Sequence, residues 1–413
     1  MNEIPNGWQR CLLREIAVER YGLVDGPFGS NLSSSEYVLD GVPVIRGINL
    51  SLGNRPFFDD GYVFVTIQKA DELIRSNCFP GDIIFTKKGT VGQTGIIPPD
   101  AKYTRYVLSS NQMKLQINPA IAENYYIYYY VSSPSSRSRF IDDASSTGVP
   151  QINLGYLKSF PVLLPPLPEQ RIIAAILSTW DEAITLTERL IAVLRQRKQA
   201  LMQMLLTGEV RFPGFEGEWR RMTLEDATRT MESGGTPSTQ TKKFWDGNIP
   251  WITGADFEDQ KVSQVRRYIT AEAVEKSSTK VVNKGNILLV TRTGVGKMAL
   301  APFDMAISQD ITGITPKEEI ITPEYLIACL SWTIPRLARF NQGTSINGII
   351  RNDLKVHEIV IPHFKEQQKI TNVLQICDSQ IEQSKQIFIS LQLEKRGLMQ
   401  QLLTGAIRVQ VEE

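Results

Sequence analysis

A segment near the middle of this chain is written a second time at its end, and that constrains the fold more than any other feature. An offset of 197 residues carries Pro165-Pro-Leu-Pro-Glu-Gln170 onto Pro362-His-Phe-Lys-Glu-Gln367 without a gap. The same offset carries Leu201-Met-Gln203 onto Leu398-Met-Gln400, and Leu205-Leu-Thr-Gly208 onto Leu402-Leu-Thr-Gly405. Upstream it still aligns Leu157-Lys158 with Leu354-Lys355 and Thr147 with Thr344. Further back the match weakens and the offset drifts: Gly41-Val-Pro-Val-Ile45 answers Asn248-Ile-Pro-Trp-Ile252, and Gly89-Thr-Val-Gly92 answers Thr293-Gly-Val-Gly296. A repeat of this kind means that one supersecondary unit is built twice, each copy a natural partner for the other. The 413 residues divide accordingly into a divergent domain at 1–164, the repeated segment at 165–208, a second divergent domain at 209–361 and the repeated segment again at 362–408.

The repeated segments read as long helices. Pro168 suits a first helical turn, and no Gly or Pro follows until Gly208. Leu177, Trp180, Ile184, Ile191, Leu194, Leu201 and Leu205 stand at three- and four-residue spacing, with Thr187 and Lys198 filling the remaining seam positions. The second copy offers Ile370, Leu374, Cys377, Ile381, Phe388, Leu391, Leu398 and Leu402, with Ser384 and Lys395 in the gaps. A spacing held over several heptads predicts a coiled-coil seam. Antiparallel pairing with an internal pseudo-twofold is expected, because it carries the two domains to opposite ends. That symmetry places Thr187 against Ser384 at the midpoint and Trp180 near Phe388 and Leu391. It sends Lys198 and Lys395 toward the ends, where their stems pack and their ammoniums reach solvent or a partner subunit.

The divergent domains read as mixed α/β (α+β). Short β-rich runs at Val42–Ile45, 82–86, 94–97 and 113–117 are bounded by Gly, Pro, Asn and Asp, with helices near 125–131 and 325–330. The four cysteines stand far apart and there are two histidines, so no metal site and no disulfide framework is expected. No apolar run approaches a membrane span and no secretory leader is visible, and the separate thiols fit a reducing cytosol, so a cytoplasmic chain is expected. Catalytic motifs are missing or broken. Thr291-Arg-Thr-Gly-Val-Gly-Lys-Met298 lacks the first Gly and the final hydroxyl of a phosphate loop. Asn118-Pro-Ala-Ile121 lacks the second Pro and the aromatic of an adenine-methyltransferase tetrad, so it is read as a turn. A binding role is favoured over catalysis, with no catalytic residue in this chain.

Two variable domains alternate here with two repeated helices. Each helix opens on a Pro-rich approach and Glu-Gln (Glu169-Gln170, Glu366-Gln367) and closes on Leu-Leu-Thr-Gly. The variable domains carry Gly26-Pro-Phe-Gly-Ser30 with Val42-Pro-Val-Ile-Arg-Gly47, and Gly234-Gly-Thr-Pro237 with Ile249-Pro-Trp-Ile252. From about residue 7 to 408 the chain resembles the specificity subunit of type I restriction–modification systems. The resemblance implies that each variable domain is a target-recognition domain for one half of a bipartite asymmetric site in double-stranded DNA. It implies that the helices set the half-site spacing and dock two methyltransferase subunits, and that restriction/translocase subunits join them. It also implies that this chain binds no cofactor, with S-adenosylmethionine, ATP and magnesium on the partners. A helix from Pro168 to Leu206 spans roughly 58 Å, enough to hold domains over sites about one DNA turn apart.

A net charge of +1 does not announce a nucleic-acid binder, so DNA contacts must come from local clusters. The candidates are Lys87, Lys88, Gly89 and Thr90 in the first domain and Arg292, Thr293, Gly294 and Lys297 in the second, glycine loops whose backbone can approach phosphates. Arg46 and Asn49 are the candidate base readers, with Thr253 and Asp256 in the corresponding places. The doublets Arg137/Arg139, Arg266-Arg267 and Arg336/Arg339 read as solvated faces. Two rival readings are a self-sufficient restriction–methylation enzyme, which would need methyltransferase motifs and a longer chain, and a coiled-coil scaffold whose domains bind protein or glycan.

Overall fold

The computed structural model describes residues 4–52, 55–144, 148–258, 260–340, 349 and 351–411, together forming two compact units. The first comprises residues 1–190 with 384–413, and the second residues 191–383. The repeat match of Thr147 with Thr344 lies outside the described residues, as do the side chains of Arg336 and Arg339.

Each unit is built from two four-stranded sheets and a two-stranded ribbon, and the second unit carries one further two-stranded pair, Phe257–Glu258 with Lys261–Val262. In the first unit the wholly antiparallel sheet orders Leu23–Asp25, Gln112–Leu115, Ile83–Thr86 and Thr94–Ile96. The other orders Val63–Val65, Val42–Ile45, Tyr106–Leu108 and Asn77–Cys78, with its central pair parallel. The second unit repeats the plan: Thr228–Ser233, Ile311–Pro316, Ile287–Val290 and Met298–Leu300 in one sheet. Arg267–Ile269, Ile249–Ile252, Met305–Ile307 and Lys280–Val282 form the other, again with a central parallel pair. Central strands such as Ile83–Thr86 and Ile287–Val290 are buried on both faces, which is why they read as unbroken apolar runs rather than alternating ones.

The long helices run Leu167–Thr207 and Phe364–Thr404, 41 residues each. They end where Gly208 and Gly405 take positive φ (76° and 72°), left-handed terminators that satisfy the last carbonyls. The compact units cut both helices near the middle instead of dividing helix from domain. The reason is packing. The first unit's core joins Ile173, Ala174 and Leu177 from the start of one helix to Met399, Leu402 and Leu403 from the end of the other. The second unit's core joins Met202, Leu205 and Leu206 to Ile370 and Leu374.

The Glu-Gln pair at each helix start explains how domain and helices are joined. Glu169 is 1% exposed and accepts from Trp8 Nε1 at 3.2 Å and from Arg408 Nε and Nη2 at 2.6 and 2.8 Å. Glu366, 0% exposed, accepts from Trp219 Nε1 at 3.2 Å and from Arg211 Nε and Nη2 at 3.0 and 2.8 Å. A bidentate guanidinium and an indole N–H thus replace the water each carboxylate has lost. Gln170 donates to Pro165 O at 2.8 Å and accepts the Glu123 N–H at 2.9 Å. Gln367 does the same with Pro362 O at 3.1 Å and the Thr322 N–H at 2.9 Å.

Within each unit the helices run antiparallel. In the first, Asp181 Oδ1 accepts from Lys395 Nζ at 2.6 Å; in the second, Asp378 Oδ1 accepts from Lys198 Nζ at 2.5 Å. Taken as facing positions, these pairs set residue 187 opposite 389, five residues or about 7.5 Å along the rod from Ser384, so Thr187 and Ser384 stand within two helical turns of each other but offset. Thr187 is half-buried and donates to its own helix at Ala183 O, 2.7 Å away. Cys377 and Ser384 are buried, while Trp180, Leu194 and Leu391 are half-buried. The lysine expectation is corrected. Lys395 does not reach solvent: it is 5% exposed, with its ammonium 5.1 Å from the Tyr129 ring centre. Lys198 is half-buried and paired with an exposed aspartate.

Candidate nucleic-acid interface

Four backbone hydrogen bonds gather the loops at one end of the sheets, and the same four occur in both units. In the first, Gly26 N–H donates to Gln112 O at 2.8 Å, Ser109 to Ile45 O at 3.0 Å, Lys87 to Asn111 O at 2.7 Å and Ile152 to Lys87 O at 3.0 Å. In the second, Gly234 donates to Ile311 O at 3.0 Å, Ser308 to Ile252 O at 3.0 Å, Thr291 to Asp310 O at 2.8 Å and Ile349 to Thr291 O at 2.9 Å. Each set builds a platform from sheet-end loops, where backbone groups not used in ladders must find other partners. It also fixes the equivalences: Lys87 answers Thr291, so Lys88 answers Arg292, Gly89 answers Thr293 and Thr90 answers Gly294.

These residues occupy the hairpin loops that follow Ile83–Thr86 and Ile287–Val290. Lys88, Gly89 and Thr90 are exposed, and so are Arg292, Thr293 and Gly294. The two remaining lysines are already partnered. Lys87 Nζ lies 3.1 Å from Asp25 Oδ2, and Lys297 Nζ donates to Phe257 O at 3.1 Å. The exposed cations available to a phosphate on these loops are therefore Lys88 and Arg292.

Beside each hairpin sits a short 3-10 turn, Gly47–Asn49 or Gly254–Asp256. The two touch: a Cβ on Gly254 would stand 2.7 Å from Thr293 O, and one on Gly47 would stand 3.4 Å from Gln93 Oε1. The fold sets these candidate segments side by side, and it gives two of their residues a task other than base reading. Asn49 is 0% exposed; its Oδ1 accepts the Arg46 N–H at 2.9 Å, and its Nδ2 donates to Phe58 O at 2.9 Å and Asp60 O at 2.8 Å. Its hydrogen-bonding capacity goes to backbone, leaving nothing to read an adenine edge. Asp256, 2% exposed, accepts the Thr253 N–H at 2.7 Å, the Thr253 hydroxyl at 2.8 Å and Arg266 Nε at 2.5 Å. Burial raises its pKa, but Arg266 and the Thr253 donors outweigh burial and hold the carboxyl below its ordinary value. Arg46 is half-buried and donates to Gly61 O at 2.8 Å. Thr253 spends its hydroxyl hydrogen on Asp256. Nor is Arg266 a freely solvated face, since it closes this same cluster.

The residues that each turn does present are the ones sequence reasoning passed over, Ile48 and Ala255, both exposed. The signal was available: each lies between a cap residue and a capping partner three positions later, an arrangement that turns both partners inward. Among the described residues there is no group of three or more His, Cys, Asp and Glu placed to hold a metal ion, and no helix long and apolar enough to cross a membrane.

The family model described as the type I restriction modification DNA specificity domain matches residues 47–196 and again 216–393. A putative type I restriction enzyme specificity subunit, MjaX, from Methanocaldococcus jannaschii is 26% identical over 425 residues, covering 99% of this chain and 96% of the relative. The EcoR124I/EcoR124II specificity subunit of Escherichia coli is 31% identical over 234 residues, 54% of this chain and 56% of the relative. Among solved structures, a chain from a study of complex assembly and conformational transition of the type I R-M system matches with TM-score 0.63 at 19% identity, covering 98% of this chain and 100% of that one. The S subunit from M. genitalium matches with TM-score 0.58 at 14% identity, covering 98% and 97%. At such identities the two structures speak for the fold alone.

Proposed function

The chain belongs to the family of type I restriction modification DNA specificity domains, of which it carries two copies, and on that premise we propose that it is the DNA-reading specificity subunit of a type I restriction–modification complex. Each platform takes one half of a bipartite, asymmetric duplex target. The helix between the two domains sets the distance between the half-sites. The paired helices dock two methyltransferase subunits, which bring S-adenosylmethionine, and restriction/translocase subunits bring ATP and magnesium. This chain contributes recognition and no catalytic group, and it works in the cytoplasm.

The observation that carries the reading is the duplicated platform. The same four backbone bonds hold both copies, yet the exposed residues differ at equivalent positions: Lys88 against Arg292, Gly89 against Thr293, Thr90 against Gly294. Fixed scaffolding with variable tips is what reading two unlike half-sites requires. Phosphate contacts from Lys88 and Arg292 seat each platform on the duplex, and neighbouring side chains meet base edges.

The test is duplex binding by the chain assembled with its methyltransferase partner, over a range of salt concentrations. Lys88→Ala and Arg292→Ala should each weaken binding across sequences and lower the salt slope by about 1. Unchanged affinity and slope in both variants would remove the platforms from the DNA. Methyl transfer by this chain without a partner would contradict its non-catalytic role.

A further inference from the structure

We propose that the first platform reads its half-site through the 5-methyl groups of thymine, with Ile48 and Phe28 as the specificity-determining contacts, and that the second platform does not. The inference rests on the reading of both platforms as DNA-facing surfaces. Phe28 is 79% exposed and Ile48 57% exposed. They project from neighbouring segments. Phe28 stands two residues past Gly26, whose N–H donates to Gln112 O at 2.8 Å. Ile48 follows Gly47, whose Cβ position lies 3.4 Å from Gln93 Oε1 and 4.0 Å from Gln112 Nε2.

Ile48 is also fixed in place. Arg46 and Asn49, on either side of its turn, are tied by the 2.9 Å bond from Arg46 N–H to Asn49 Oδ1. Asn49 is then anchored to two further carbonyls. A single exposed apolar side chain calls for no explanation. Two of them, beside an exposed lysine loop on a surface that meets a duplex, are constrained in what they can contact. Phosphates offer an apolar group no partner, and sugars carry no sequence information. In the major groove the apolar feature of a base edge is the thymine methyl.

The second platform supplies the contrast. Counting from Gly234, the equivalent of Gly26, Phe28 is answered by Thr236, which is exposed and donates its hydroxyl to the Gln309 side chain. Ile48 is answered by Ala255. Large apolar tips in one unit thus become small or polar ones in the other, while the scaffold beneath stays the same.

The experiment uses the full chain with its methyltransferase partner and duplexes carrying its mapped target. Thymines of one half-site at a time are replaced by deoxyuridine, which removes only the 5-methyl group. Deoxyuridine in the first half-site should weaken binding about fourfold per contacted methyl, and in the second half-site should leave it within the error of the assay. Ile48→Ala and Phe28→Ala should lower affinity for the thymine duplex and shrink the thymine–deoxyuridine difference, whereas Lys88→Ala should preserve that difference at lower overall affinity. Equal binding of thymine and deoxyuridine duplexes, with the target still preferred over unrelated DNA, would overturn this inference and leave the DNA-reading role intact. A first half-site without thymine on either strand would also overturn it. Loss of target preference in every duplex would instead overturn the DNA-reading role itself.

Discussion

Two lysines at equivalent repeat positions sit in ion pairs of the same chemistry and different burial, which makes Lys395→Met and Lys198→Met a matched test of the helix pairing. Lys395 and Asp181 have side chains 6% and 8% exposed; Lys198 and Asp378 are 20% and 58% exposed. Removing the Lys395 ammonium leaves the Asp181 carboxylate out of water, with the Tyr129 hydroxyl donating to it at 2.7 Å and Ser178 Oγ 3.1 Å from that hydroxyl. Breaking a buried pair from one side costs about 3–5 kcal/mol, because the surviving charge has lost its compensation. Losing the exposed pair costs about 0–1 kcal/mol, since Asp378 returns to solvent. For a unit of this size that separates the variants by about 10 °C in Tm against about 2 °C. Differential scanning calorimetry of each variant beside the parent reads this directly. The double variant Asp181→Leu/Lys395→Met should recover much of the loss, since the stranded charge is gone. Equal Tm losses in Lys395→Met and Lys198→Met would refute the burial argument, and no loss in either would refute the pairing.

Gly254→Ala should weaken the second platform, because its Cβ would meet the Thr293 carbonyl at 2.7 Å and backbone must shift; the expected cost is about 1–3 kcal/mol. Gly47→Ala, facing the flexible end of Gln93 at 3.4 Å, should be tolerated, and similar melting of the two variants would contradict this. Burial pushes the His357 pKa below 6.5, with Glu358 opposing weakly. The unfolded chain therefore takes up the proton first, and this group's stability contribution is lost as pH falls below 6.5 toward the folded value. Between about pH 7.5 and pH 5.5 the parent should lose more Tm than His357→Gln, and identical pH profiles would rule His357 out.

Much of this architecture is legible in the residues because it depends on local pattern. The gapless repeat, the Pro168 start and the Gly208 stop define a helix observed at Leu167–Thr207. The β-branched run Val42–Ile45 is a strand at those same positions. What the sequence hides depends on partners that only the fold brings together. Lys395 looks like a snorkelling end residue until antiparallel register sets it on Asp181, 214 positions away. Midpoint symmetry follows from the helix bounds 168–206 alone, which carry no information on the ion pairs that offset Thr187 from Ser384 by about five residues. Asn49 and Asp256 resemble base readers because amide and carboxylate suit base edges. Their side chains instead close a turn on the backbone three residues back. Arg211 and Arg408 drew no attention in sequence, since nothing local links either to a glutamate 155 or 239 positions distant.

Two platforms that read their half-sites independently must respond separately when one domain is exchanged, which is measured by mapping methylated adenines genome-wide in cells carrying this chain with its methyltransferase partner. The map is then repeated after residues 1–164 are exchanged for the equivalent domain of a relative. The expected outcome is a bipartite motif of which one half changes while the other half and the spacer length persist. A motif that changes in both halves, or methylation unaffected by the exchange, would contradict it.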